Sequence, residues 1–162
     1  MLSSVALIAG FPLAGTLAAA GGARARGAGY AAIAGAAGSL ALVVSLMVHV
    51  LSRGPVSAVS GFVYVDALGT FFLLTVALVV LVASFGSAAY LRAEEQAGTL
   101  SALQVRLYFV FFGLFATLML ASLETGNLGL LFVLIEGSTL TSVVLVCGRC
   151  STVGEYTGLF CV

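Results

Sequence analysis

The sequence predicts an all-α integral membrane protein, a single transmembrane domain built as a bundle of about five helices. Three observations predict it. Hydrophobic residues make up 62% and charged residues 7% of the 162 residues, against about 25% charge in soluble domains. Mean hydropathy is +1.24. Apolar runs near 3–23, 29–51, 67–91, 107–123 and 127–147 each approach the roughly 20 residues that cross a hydrocarbon core of about 30 Å. Six arginines, no lysine and six acids leave zero net charge, so there is no basic patch for nucleic acid and no acidic surface for a basic partner.

The first run, 3–23, carries no charge before Arg24 and Arg26. A signal peptide would place its positives ahead of the apolar stretch. The order here is that of a helix entering with its N-terminus outside, kinked at Pro12. In the second run Ala31, Gly35 and Ser39 recur every four residues, a small-residue stripe that lets another helix approach closely. His49 near its far end reads as an interfacial histidine. Residues 53–65, with Pro55 and several small side chains, read as a linker, with Tyr64 an interface aromatic.

Asp66 precedes the third run and reads as a helix N-cap. The stretch 92–106 contains Glu94, Glu95 and Gln96 and reads as a solvated polar loop. The fourth run is short and carries Tyr108, Phe111, Phe112 and Phe115 along one side, a stripe for lipid contact or helix packing. Glu124-Thr125-Gly126-Asn127 reads as a tight turn, with Glu124 solvated near the interface. Residues 150–162 are too short to span and read as the truncated start of a further segment.

Cys147 and Cys150 have CxxC spacing. A tetrahedral zinc site takes four ligands, and the lone His49 lies about a hundred residues away. No metal site is expected; membrane-edge thiols are.

The fifth run, NLGLLFVLIEGSTLTSVVLVC, holds one charge, Glu136, near its middle. A carboxylate there costs on the order of 2.5–3.5 kcal/mol of insertion free energy, offset by apolar residues at roughly 0.3–0.6 kcal/mol each. The helix therefore inserts and keeps its acid. A buried ionisable group of this kind marks a proton relay or ion pathway by default; the alternative is a protonated carboxyl that hydrogen-bonds a neighbouring helix as packing glue. Thr139 and Ser142 lie on adjacent faces of the same helix and can hold water near it. Asp66 and Glu124 are accessory candidates.

Five spans put the two chain ends on opposite sides. Arg24, Arg26, Arg92, Arg106 and Arg149 then fall on one side and Arg53 alone on the other. The positive-inside rule places the N-terminus outside and the C-terminus in the cytoplasm of a cell (inner) membrane.

Read in order, YVDALGTFFLLTVALVVLVASFGSAAYLR (Tyr64–Arg92) and RLYFVFFGLFATLMLASLETGNLGLLFVLIEGSTLTSVVLV (Arg106–Val146) resemble the antiporter-like membrane subunits of respiratory complex I (NADH-quinone oxidoreductase) and of membrane-bound hydrogenases. The hydrogenase-4 component F branch is nearest. VDAL, the polar loop before an aromatic-rich helix, and NLGLLFVLIEGSTL with its embedded Glu carry the likeness; residues before Tyr64 share only the arrangement of helices.

The resemblance implies a fold of about fourteen helices in two inverted repeats, of which this chain is the N-terminal part. It implies that Glu136 belongs to a chain of buried charges that moves protons to a lysine on a later, broken helix. It also implies a non-catalytic subunit with no cofactor of its own, lodged in the lipid bilayer beside other membrane and peripheral subunits of a redox complex. The chain departs from that pattern because it contains no lysine, as a truncated product, a split gene or a fragment would. An antiporter or inorganic-carbon uptake subunit on the same fold is a second reading, and a non-conducting structural fragment a third.

Overall fold

A computed structural model describes residues 25–58, 62–98 and 100–153, together with Gly10, Pro12, Ala14 and Gly15. The elements run α1 (Ala25–Arg53), β1 (Val56–Ala58), β2 (Val63–Val65), α2 (Ala67–Gln96), α3 (Ala102–Glu124) and α4 (Leu128–Val153). All four helices are long and apolar enough to cross a membrane. An uninterrupted helix is what apolar surroundings demand, since it satisfies every interior backbone N–H and C=O within one segment.

The boundaries lengthen several of the expected spans. The region 92–106 is not a polar loop: helix continues through Gln96, and α3 begins at Ala102. Glu94, Glu95 and Gln96 are good helix formers, and nothing stops them until Gly98 takes φ +75°, a conformation that favours glycine. Ser101 then starts α3 with a capping box, its hydroxyl accepting from the Gln104 N–H at 3.3 Å while the Gln104 side chain accepts from the Ser101 N–H at 2.8 Å. At thirty residues, α2 is about 45 Å long, well beyond a core of about 30 Å. Its polar end therefore projects past the apolar zone.

The stretch 53–65 is not a plain linker either. α1 stops at Gly54, whose φ is +91°, and Pro55 cannot continue it. An antiparallel hairpin follows, pairing Val56 with Val65, Ser57 with Tyr64 and Ala58 with Val63. Val65 is fully buried and packs with Val43, Leu46, Val50, Leu73, Ala77 and Leu120, and Val56 and Val63 pack against the same cluster, so the hairpin is anchored by its valines. Tyr64, on the opposite face of the strand, is exposed.

Asp66 caps α2 as expected, its carboxylate accepting from the Gly69 N–H at 2.6 Å. Asp66→Ala should cost about 1 kcal/mol of stability and Asp66→Asn much less; thermal unfolding of the purified protein checks both.

The core is layered along the bundle. The hairpin end holds the Val43–Leu120 cluster, the middle Ala36, Val80 and Ala116, and the far end Ala28, Ala32, Ala88, Leu91, Val105 and Phe109. Small residues set the helix approach. A Cβ on Gly15 would lie 2.7 Å from the Ala31 carbonyl and 3.4 Å from the Gly35 Cα, so the small-residue stripe of α1 does receive another segment. α1 packs mainly on α2, whereas α4 packs mainly on α3. The expected span 3–23 with its Pro12 kink falls mostly outside the described residues, as does 154–162, and the side chains of Cys147, Cys150 and Cys161 are likewise outside them.

Candidate functional site

α4 starts where Asn127 turns its side-chain oxygen onto the N–H groups of Gly129 and Leu130, at 2.9 and 3.2 Å. Eight residues later, about 12 Å along the axis, comes Glu136. It is exposed. The face that meets α3 is the next one round: Gly137, whose added Cβ would sit 3.3 Å from Leu118, then buried Ser138 and Thr141. Those two hydroxyls donate to carbonyls of their own helix, from Ser138 to Ile135 and from Thr141 to Gly137, each at 2.7 Å.

Glu136 therefore lies on a face that α1–α3 leave bare. Only 11% of the apolar window of α4 is buried, against 44% for α3. Phe132, Val133, Leu140 and Val143 are exposed on the same helix. Thr139, one turn on, is exposed too and donates to the Glu136 backbone carbonyl at 2.8 Å; its oxygen keeps lone pairs that can accept from water. Ser142 is half-buried. Glu136 and Thr139 thus share an open face, and Ser142 borders it.

Glu124 is not solvated. Its exposure is 6%. The hairpin, for which the sequence carries no local signal, is bonded to the turn next to Glu124. The Gly126 N–H donates to the Phe62 carbonyl at 2.9 Å and the Thr125 hydroxyl does so at 3.2 Å, while Val63 bridges to Thr125. These bonds tie the hairpin to the end of α3, where Glu124 sits. Its Oε1 is buried and has no hydrogen-bond partner among the described residues. Asp66 lies at the same end: a Cβ on Gly69 would be 3.0 Å from the Asp66 carboxylate and 3.9 Å from the Leu123 carbonyl. The two accessory candidates are thus brought to one end of the bundle, well separated along the axis from Glu136. Asp66 is committed to its cap; Glu124 is not committed to anything described.

Of the other buried hydroxyls, Ser39, Ser84 and Thr117 each donate to the carbonyl four residues back in the same helix, at 3.0, 2.7 and 2.8 Å, Thr70 donates to the carbonyl of the Asp66 cap at 2.7 Å, and Ser122 donates to the Met119 carbonyl three residues back at 2.7 Å. They contribute packing rather than a polar track through the core. Tyr108 and Phe112 of the aromatic stripe stack with centroids 6.2 Å apart, and the Tyr108 hydroxyl meets the Ser87 hydroxyl at 2.9 Å. A groove of about 270 Å³ beside them is lined by Leu91, Leu100, Leu107, Phe111, Val144 and Leu145, with Gln104 and Tyr108 as its polar members. His49 is half-buried near the end of α1. Among the described residues no three His, Cys, Asp or Glu side chains gather as metal ligands.

Comparison of the chain with protein-family models, with curated proteins and with solved structures finds no match.

Proposed function

We propose that the chain is a proton-translocating membrane subunit, or the N-terminal portion of one, in a redox-driven complex of the hydrogenase or NADH-quinone oxidoreductase type. The observation that carries this reading is the position of Glu136. It is an acid in the middle of an apolar span, on a face that the described residues leave open. Packing glue would be expected to point at α3, where Ser138 and Thr141 point instead. An acid aimed away from its own bundle is available to a further segment and to water.

In this mechanism Glu136 accepts a proton through water from the cytoplasmic side and passes it laterally to a basic side chain on a neighbouring segment. Thr139 and Ser142 help hold that water. Glu124, beneath the hairpin, serves as an accessory acid on the outer side. Moving one charge against 100 mV takes about 2.3 kcal/mol, so redox chemistry in partner subunits supplies the drive. The N-terminus lies outside and the C-terminus in the cytoplasm of the cell membrane. Arg92 and Arg106 sit at the end of the bundle opposite the hairpin, and Arg53 at the hairpin end, in keeping with that orientation.

The test is Glu136→Gln in an assembled complex, which should assemble normally and lose most of its proton translocation. Two further results are expected. The chain purified alone into liposomes should show no proton flux above empty vesicles, because it carries no lysine and its mid-span acid has no partner group among the described residues. With Cys147 and Cys161 changed to Ser, a membrane-impermeant thiol reagent should label Cys150 only from the cytoplasmic side. Labelling of intact cells from outside would reverse the orientation.

A further inference from the structure

We propose that Arg92 and Arg106 form a binding site for the phosphate of an anionic phospholipid headgroup, at the end of the bundle away from the hairpin. The two arginines come from different helices, and the fold brings them to the same end of the bundle, each next to a member of one buried cluster. A Cβ on Gly29 of α1 would lie 3.2 Å from the Ala88 Cβ and 3.5 Å from the Phe109 ring, so α1, α2 and α3 converge there. Arg92 is one turn beyond Ala88, and Arg106 is one turn before Phe109 on a helix running the other way. Leu91 and Val105, the residues before them, share one buried cluster.

Arg92 is half used. Its guanidinium carbon lies 4.2 Å from the centroid of the Tyr30 ring, and its Nη1 donates to the Tyr30 hydroxyl at 3.4 Å. That leaves Nε and Nη2, the edge of the guanidinium that grips two oxygens side by side. Both atoms are buried and have no hydrogen-bond partner among the described residues, and Arg106 Nε is in the same condition. Charged donors taken out of water without an acceptor are costly. The positive end of α1, which begins at Ala25, adds to the field rather than relieving it. The carboxylate on the adjoining turn of α2, Glu94, accepts from Tyr90. Among the described residues no oxyanion is hydrogen-bonded to these three nitrogens, although Glu95 stands beside Glu94 on the same helix.

Its depth selects the source. Arg92 lies 26 positions after Asp66 on one helix, about 39 Å, close to the span between the polar zones of a bilayer. Tyr30, Tyr90, Leu103 and Leu107 around it are exposed, a rim suited to acyl chains and headgroup-level aromatics. Both arginines are half-buried on flexible stems, so a rotamer change presents their free edges at that rim.

The experiment is native mass spectrometry of the purified chain with phosphatidylglycerol, phosphatidylcholine or inorganic phosphate as probe. Phosphatidylglycerol should be retained about fivefold or more over phosphatidylcholine. Arg92→Gln/Arg106→Gln should abolish that preference, and Arg92→Lys, which keeps the charge but loses the paired donors, should fall between. Equal retention of the two lipids by the wild type overturns the proposal and leaves a protein carboxylate as the ligand. So does a folded double variant that retains phosphatidylglycerol like the wild type. Should the double variant not fold, the wild-type preference and Arg92→Lys decide. Displacement of the lipid by millimolar inorganic phosphate, with the same arginine dependence, would reassign the site to a soluble anion.

Discussion

Glu124→Met should stabilise the purified protein. Glu124 is 6% exposed and its Oε1 has no hydrogen-bond partner among the described residues. A buried polar group left unpaired costs about 1–3 kcal/mol, and replacing it by an apolar group of similar shape removes that cost. Methionine matches glutamate in length and adapts to irregular space. The unfolding free energy should therefore rise by about 1–3 kcal/mol, read as a higher thermal midpoint or greater resistance to denaturing detergent. A lower midpoint would mean that the carboxyl has an acceptor or donor in the working protein. In an assembled complex the same substitution should lower proton translocation, because the acid then exists for function at the expense of stability.

The burial of Glu124 marks the limit of what the sequence discloses. Four of the five expected helices stand among the described residues, and they were legible since each is one contiguous apolar run whose length can be compared with a bilayer. Their ends were legible where a local signal exists: Asp66 before α2 and the Glu124–Asn127 turn before α4 both stand where expected. The hairpin was not legible. Its strands are three residues each, and their pairing is rewarded by Val65 entering a core built from three other elements. Glu124 inherits that difficulty, because the hairpin bonded beside it at Thr125 comes from 63 positions away in the chain.

Glu136 shows the opposite case. One acid in a long apolar segment is visible from the segment alone. Its facing is not, because α4 is apolar all round and no polar stripe marks an outside. Only the approach of Gly137 to Leu118 of α3 and the burial of Ser138 and Thr141, against the exposure of Glu136, show which way the carboxyl is turned. The arginine pair was visible merely as topology signals; that Arg92 Nε and Nη2 and Arg106 Nε lie buried with no hydrogen-bond partner among the described residues is not readable from the sequence.

The larger effect is expected at Glu136 within an assembled complex. Glu136→Gln keeps shape and hydrogen bonding and removes titration, so it separates packing from proton transfer. Glu136→Ala is a blunter substitution, since it also removes hydrogen bonds that a neighbouring segment would make. Glu136→Asp keeps the acid and withdraws it by one methylene, so its rate should fall between wild type and Glu136→Gln. Displacements of about 1 Å at a transfer site can cost on the order of a hundredfold in rate.

The decisive measurement is the number of protons translocated per redox turnover by the complex carrying Glu136→Gln, with assembly confirmed in the same preparation. A fully assembled complex that turns over but translocates few or no protons is the predicted result. A fully assembled Glu136→Gln complex that translocates protons at the wild-type ratio would contradict it.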